Sequence, residues 1–481
     1  MKLNPLQQWR AMPAVAKSAV AFTISTFVIR GITFITTPLF TRIMPVDQYG
    51  VVATYNSWKS ILEVFALLGL TYAGVFNVGM NDYRHSRGRY VSSLLLLCNV
   101  CTIVTFVILC VLKWLFGAQF VLPWHLLVLM FLGFLFSPAQ TFWVTWQRYE
   151  YKYKLATAIS IGSALFSQVI AFICVVYAQP EHAASVRLWS RGLVVIACAV
   201  PIYIHLFTKG HTGYDGTIWK STLLFALPLL PHYLAQHLMG SSDRIMLSTM
   251  ISDSEAGIYS VVSAIGMITT LLWNAVNGSL TPYIYDKMNV HQYAPINSLM
   301  MRMIGIYGAL CMAVTLMAPE VLHILAPHEY DGGMLAIPAI AATSFLTALY
   351  NMFATVEFYH KKSGYITSAT IVSSIVNIGL NLLLIPRWGL MGAAYTTVLS
   401  YLVLIAIHYI GYRRSQSERI YSDRGILIIT VLTMGSCLAC TLLYNNNYVR
   451  YTIIAIILII AFVMRNTIIR WLREVRGSKS A

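Results

Sequence analysis

Several side chains that are costly to bury stand inside otherwise apolar stretches of this 481-residue chain. Arg30 comes about sixteen residues into a long apolar run, ~24 Å along a helix at ~1.5 Å per residue, too deep for its head group to reach water easily. A buried cation of this kind costs between ~3 and more than 10 kcal/mol, so it is kept where it meets a partner or a water-filled cavity. Lys59 and Glu63 follow at an i, i+4 spacing that puts both on one helix face. They read either as a self-neutralising pair or as part of a net-positive cluster, with Glu63 also balancing Arg30, that receives an anionic head group. Arg187 and Arg191 sit one turn apart at the start of another run, as interfacial anchors or, for Arg191, as a further head-group contact. Asp243 and Arg244 read as members of an intrahelical or cross-helix ion pair.

Two prolines, Pro228 and Pro231, each remove a backbone donor and clash with the preceding turn, so the helix carrying them should be interrupted there. Such a break is an ordinary feature of membrane helices or a hinge. Asn274, Asn277, Asn351, Asn377 and Asn381 lie in apolar runs, where they bond helix to helix or offer hydrogen bonds to sugars; Asn274 and Asn351 are candidates for the second role.

The elements that must hold these residues follow from composition. With 58% hydrophobic and only 10% charged residues, the chain is not a soluble protein. Its apolar residues suffice for about fourteen spans of ~20 residues. Apolar runs fall near 14–42, 50–79, 90–115, 121–145, 154–178, 187–207, 221–249, 255–284, 296–318, 333–358, 364–385, 390–411, 425–444 and 450–470. The net charge of +16 would suggest nucleic acid in a soluble chain. Here about 24 of the 33 basic residues fall on alternate loops, against about seven on the others, which predicts cytoplasmic N- and C-termini and an even number of spans. Clusters such as Arg84, Arg87 and Arg89, or Arg413 and Arg414, thus report topology first and attraction to anionic lipid second. No nucleic acid partner is implied.

The eight cysteines all lie in apolar runs, so packing accounts for Cys98/Cys101 and Cys437/Cys440 despite their CxxC spacing, and no metal or cofactor is indicated. The first run lacks a small-residue cleavage site and reads as a span and not a removable signal. Loops of no more than about fifteen residues argue against a folded extramembrane catalytic domain.

The stretch RIMPVDQYGVVATY around Gly50 resembles MISDSEAGIYSVVSA around Gly257 after a shift of 207 residues: a helix ends, a short acidic turn follows, and Gly opens the next helix. Six spans separate the copies, so the halves share one orientation and face each other across a central cleft. Under the same shift, Arg30 corresponds to His237. The expected organisation is a first six-helix bundle at 1–207, a cytoplasmic linker at 208–220, a second bundle at 221–411, and an accessory pair with a basic tail at 412–481.

Several stretches carry a resemblance: FALPLLPHYLAQHLMGSSDRIMLS (225–248) with GIYSVVSAIG (257–266), APEVLHILAPHEYDGG (318–333), LIPRWGLMGAAYTTVLSY (384–401) and PLFTRIMPVDQYG (38–50). In these the chain resembles the polysaccharide transporter family of oligosaccharide-lipid flippases, O-antigen-flippase-like, in the superfamily that also holds multidrug and toxin extruders. The resemblance implies an all-α polytopic protein of the bacterial inner membrane. It also implies transfer of an undecaprenyl-diphosphate-linked oligosaccharide from the cytoplasmic to the periplasmic leaflet by alternating access, coupled to H+ or Na+, for which Glu63, His237 and Asp243 are the candidates to titrate. The implied partners are that lipid-linked substrate, membrane lipids, a polysaccharide polymerase and a chain-length regulator, with the transporter itself working as a monomer. A diphosphate requires mid-membrane cations, for which Arg30 and Lys59 are available. The alternatives are a drug/cation antiporter of the same fold, which would favour an acidic cleft, and a membrane glycosyltransferase or polymerase, which would need acids near a lipid-phosphate site.

Overall fold

The computed structural model describes residues 12–71, 73–117, 122–211 and 213–477. Lys2, Arg10 and Lys479, which enter the inner charge, lie outside them. The described residues are helical throughout, and ten of their helices are long and apolar enough to cross a membrane. A bilayer forces this choice, because every backbone N–H and C=O must be satisfied within its own segment.

The chain forms two compact units, Met1–His237 and Leu238–Ala481. The first contains α1 (Ala14–Ile43), α2 (Val46–Leu67), α3 (Ala73–Asp82), α4 (Arg87–Phe116), α5 (Trp124–Tyr149), α6 (Tyr153–Val176), α7 (Ala183–Gly210) and α8 (Gly216–Ala226). The expected second span, 50–79, is divided into α2 and α3, because Leu68 and Gly69 adopt positive φ. Within the unit α7 packs on α5 and α6, α1 on α6, and α2 on α4. Arg187 fastens the α1–α2 corner to α7: it is buried, with its guanidinium 3.7 Å from the Phe40 ring centroid and 5.1 Å from that of Tyr49. Desolvated stacking on aromatic faces accounts for a cation at this position.

After α8, a 3-10 turn (Leu227–Leu229) containing Pro228 leads into α9 (Leu230–Met250), with Pro231 in its first turn. The α-helix is interrupted where the prolines predict, and the passage between the compact units falls within α9. The stretch expected as a linker, 208–220, is held against the first unit. Asp215 caps α8 by accepting from the Thr217 and Ile218 backbone N–H groups, and Arg89 at the start of α4 binds the same carboxylate at 2.7 Å.

The second unit continues with α10 (Asp253–Asn289), α11 (Tyr293–Leu316), α12 (Ala318–Leu325), a 3-10 segment (His328–Ala336), α13 (Ile337–Tyr359), α14 (Ser363–Ser415), α15 (Asp423–Ala439) and α16 (Asn447–Gly477). Its core is α13, which packs against α10, α11, α14 and α15. Small side chains, among them Ala339, Ala342, Ser344 and Ala348, let neighbours approach closely. At the α10–α13 crossing a Cβ on Gly266 would stand 2.4 Å from Ile340, so only glycine fits. The 53-residue α14 is two helices joined at Gly389, whose φ of 52° and ψ of −133° leave the helical region. The freed Leu390 N–H donates to Glu255 Oε2 at 3.2 Å. The expected spans 364–385 and 390–411 therefore share a turn of minimal length.

α2 and α10 begin at Val46 and Asp253, which are 253 − 46 = 207 residues apart, the shift of the internal repeat. Both start four residues ahead of the glycines expected to open them. Pro45 and the side chain of Ser252 set the N-termini, while Gly50 and Gly257 lie buried within the helices.

The Asp215–Arg89 pair gives a pH prediction. The Ile218 N–H foremost, and against the cost of burial the Arg89 guanidinium and Thr217 N–H, hold the Asp215 carboxyl below its ordinary value. A carboxyl depressed in the folded state contributes stability above its unfolded pKa, and that contribution is lost as pH falls through the folded value. Because Arg89 is largely exposed, Arg89→Ala should cost no more than about 1 kcal/mol at neutral pH. In thermal melts the gap between wild type and variant should hold from neutral pH downward and close only below the ordinary carboxylate range. A gap that closed near neutrality would assign the effect elsewhere.

Candidate functional site

The first unit holds a cavity of about 80 Å³ between α2, α5 and α7. Tyr55, Asn56 and Lys59 face it from α2, Gly133 and Ser137 from α5, and Arg191 and Gly192 from α7. Two cations line it and no carboxylate does. Glu63, one turn beyond Lys59, is partly buried outside this lining. Such a lining can hold an anionic oxygen by charge-assisted hydrogen bonds, with Tyr, Asn and Ser groups completing its coordination. Arg30 lies exposed on α1 and belongs to neither this cavity nor the next.

The second unit holds a larger cavity, about 410 Å³, between α9, α10, α13 and α14. Its wall is rich in hydroxyls, including Tyr259, Ser263, Thr270, Thr343, Thr347 and Tyr401, and Asn274 also faces it. At one side is Asp243, 3% exposed. Its Oδ1 accepts from Asn381 Nδ2 at 2.7 Å, and its Oδ2 accepts from Tyr259 Oη at 2.7 Å. Thr397 Oγ1 lies 2.9 Å from Oδ2 and 3.0 Å from the Ala393 carbonyl, so its single proton serves one acceptor at a time. A further layer surrounds these donors: Thr396 donates to Asn381 Oδ1, and Ser242 donates to Asn377 Oδ1 at 3.1 Å. The expected Asp243–Arg244 ion pair is not formed; Arg244 Nη1 donates instead to the Gly240 carbonyl, 2.9 Å away on the same helix. Asp243 is thus held by two hydroxyls and one amide N–H, all of them uncharged donors.

The other candidates are dispersed. His237 is half-buried on α9, and Pro228 and Pro231 are exposed at the helix interruption. Asn351 is partly buried on α13 beside the cavity-lining Tyr350, and its carbonyl accepts from Thr355. One group escaped the sequence reading. Glu357, completely buried on α13, lies 2.6 Å from His408 Nδ1 on α14. Tyr350 stacks on the His408 ring at 5.6 Å, so this pair stands directly behind the cavity wall. The available signal was an acid near the end of an apolar run and a histidine within another. Their separation of 51 residues hides the pairing.

The family description "Polysaccharide biosynthesis protein" matches residues 15–288, more than half of the sequence. The chain belongs to this family. Among curated relatives, "Lsg locus putative protein 1" of Haemophilus influenzae is 22% identical over 209 residues, covering 39% of this chain and 51% of that protein. "Probable low-salt glycan biosynthesis flippase Agl15" of Haloferax volcanii is 22% identical over 171 residues, 34% of this chain and 36% of that one. The matches thus span about half or less of the relatives' length. Among solved structures, the inward closed conformation of the lipid II flippase MurJ has a TM-score of 0.62 at 12% identity, covering 93% of this chain and 100% of that chain. An inward-facing multidrug resistance MATE family transporter of the MOP superfamily has a TM-score of 0.57 at 12% identity, covering 86% and 98%. These likenesses establish the all-α fold. Family and fold together put the chain among the all-α, multi-pass membrane proteins of polysaccharide biosynthesis.

The Asp243 shell predicts how substitutions behave. Asp243→Ala leaves the Tyr259 hydroxyl and the Asn381 amide without their acceptor and should destabilise the protein by about 2 kcal/mol or more. Asp243→Asn keeps an acceptor oxygen and should cost less than half of that. Thermal unfolding of the purified protein in detergent checks the order; equal losses would mean that the donors do not depend on this carboxylate.

Proposed function

We propose that the chain is a flippase that carries an undecaprenyl-diphosphate-linked oligosaccharide repeat unit from the cytoplasmic to the periplasmic leaflet of the bacterial inner membrane. Alternating access of two six-helix bundles, 1–207 and 221–411, drives the transfer, with 412–481 as an accessory pair and both termini cytoplasmic. The observation that carries the reading is the cavity lined by Lys59 and Arg191 with no acid, in a member of a polysaccharide biosynthesis family. Glu63, one turn along α2, offsets one of the two cations, and the net positive charge that remains in a low-dielectric interior favours an anionic guest, which a lipid diphosphate supplies. Lys59 and Arg191 take the diphosphate, while Arg30 and His237 act along its path. Asn274, Asn351 and the hydroxyl wall of the larger cavity receive the sugars. Pro228 and Pro231 give the seventh span its hinge. The transporter works as a monomer and delivers to a polymerase and chain-length regulator. A drug/cation antiporter is disfavoured, because a cationic guest would be repelled by the same two side chains.

Of the coupling candidates Glu63, His237 and Asp243, the reading favours Asp243. Its shell of neutral donors leaves the charge open to neutralisation by H+ or Na+, and the displaced donors would then reorganise α9 and α10 against α14.

Lys59→Ala and Arg191→Ala should each lower export of the surface glycan by about tenfold or more, the loss expected for one charge-assisted hydrogen bond, with membrane abundance unchanged. Lys59→Arg should keep part of the activity. Accumulation of lipid-linked oligosaccharide in cells reads this directly, and normal export by the Lys59→Ala/Arg191→Ala double variant would sink the diphosphate assignment.

For coupling, Asp243→Asn should abolish the pH or sodium dependence of transport in vesicles, whereas Glu63→Gln should leave it in place. The opposite pattern would move the coupling role to Glu63.

A further inference from the structure

Outside both cavities, the segment joining α11 to α13 brings three metal-ligating side chains together. His323 extends from the last turn of α12, and His328 and Asp331 from the 3-10 segment that follows. His323 Nε2 lies 3.0 Å from Asp331 Oδ1, and His328 Nδ1 lies 3.0 Å from Asp331 Oδ2. The two imidazole rings meet edge to face with centroids 4.7 Å apart. One ligand atom from each residue falls within a 4.8 Å span.

We propose that His323, His328 and Asp331 form a binding site for a divalent transition metal, Zn2+ by chemistry. Two imidazole nitrogens and a carboxylate oxygen match the ligand set of Zn2+, whereas Mg2+ and Ca2+ prefer all-oxygen sites. Metal–ligand bonds of ~2.1 Å put tetrahedral ligands about 3.4 Å apart, so the widest of the three separations needs to close by no more than about 1.4 Å, within reach of side-chain rotation. The exposed side of the cluster leaves a position for water.

The platform beneath is rigid, which lowers the cost of assembling the ligands. Pro319 opens α12 and Pro327 precedes the 3-10 segment. Tyr330, between His328 and Asp331, is completely buried, and a Cβ on Gly333 would stand 2.5 Å from Val262. One turn before His323, Glu320 is held by Arg450 of α16 through two hydrogen bonds, at 2.9 and 2.6 Å, and by Tyr451 Oη at 2.7 Å. Burial alone would raise the Glu320 carboxyl, but the Tyr451 hydroxyl, its own backbone N–H and the Arg450 guanidinium outweigh it and hold the group ionised below its ordinary range. α12 is therefore fixed from behind by α16 while its last turn presents His323. A metal ion would cross-link α12 to the segment leading into α13, the core helix of the unit.

The test uses the full chain, purified without a polyhistidine tag, stripped with chelator and titrated with Zn2+ by calorimetry. One saturable equivalent is expected. His323→Ala, His328→Ala and Asp331→Asn should each weaken it at least about tenfold, the lower bound seen when even an outer partner of a metal ligand is removed. His85→Ala, at an exposed histidine of the first unit, should leave the titration unchanged. Zn2+ should also raise the melting temperature of the wild type and not of the three variants. An independent reading needs no variant: Zn2+, but not Mg2+, should protect His323 and His328 of the wild type from diethyl pyrocarbonate, as read by mass spectrometry. No saturable Zn2+ binding, binding unchanged in the triple variant, or unprotected histidines would each overturn the assignment.

Discussion

A charge inside a bilayer must be neutralised, partnered or hydrated, and the second unit is built around its response to that constraint at Asp243. Three neutral donors converge on one buried carboxylate, and two of them, Asn381 and Thr397, are bonded in turn to Thr396 and Asn377. Among the described residues no cation bonds the carboxylate; the adjacent Arg244 acts on it only through charge while its guanidinium turns back to its own helix. The helices that meet here, α9, α10 and α14, are also those that form the larger cavity. The polar wall of that cavity and the acid at its side therefore belong to one hydrogen-bonded assembly. A change of charge at Asp243 would alter the strength of the acceptor that Tyr259, Asn381 and Thr397 share.

The same constraint is met differently elsewhere. Arg187 is desolvated against aromatic rings, Glu357 lies against His408, and Arg450 is matched by the two oxygens of Glu320. Each of these cations or acids has a dedicated partner and reads as structural. Lys59 and Arg191 stand apart from them, because they share a cavity whose lining offers no carboxylate. Glu63, one turn along α2, acts on Lys59 and offsets one of the two charges.

Much of the architecture was legible in the sequence, since lengths of apolar run and the backbone's need for internal hydrogen bonds leave little freedom. The interruption at Pro228 and Pro231 and the 207-residue repeat of the α2 and α10 starts follow from local chemistry. The candidate site was legible only in part. Asp243 could be singled out as a buried acid, yet its neighbour Arg244 suggested a partner that geometry denies. Its actual partners lie 16, 138 and 154 residues away, and no spacing rule connects them. For Arg30, depth along a helix marks the residue as costly, and its exposure on α1 is set by the packing of that helix against α6. Glu357 and His408 were unremarkable separately and become a pair only through the crossing of α13 and α14.

The break at Gly389 carries a consequence for variation in this chain. The two halves of α14 return on one another closely enough that a Cβ on Gly392 would stand 2.6 Å from the Leu384 carbonyl. Asn381 on one arm therefore faces Thr396 on the other, and both arms supply groups to Asp243. Connections between helices usually accept insertions and deletions at little cost. Here one added residue would rotate the second arm by about 100°, at 3.6 residues per turn, and carry Thr396 and Thr397 away from Asn381 and Asp243 together. Length at this turn is therefore under the same selection as the side chains it aligns, and relatives that keep the acid and its amides should keep the turn's length as well.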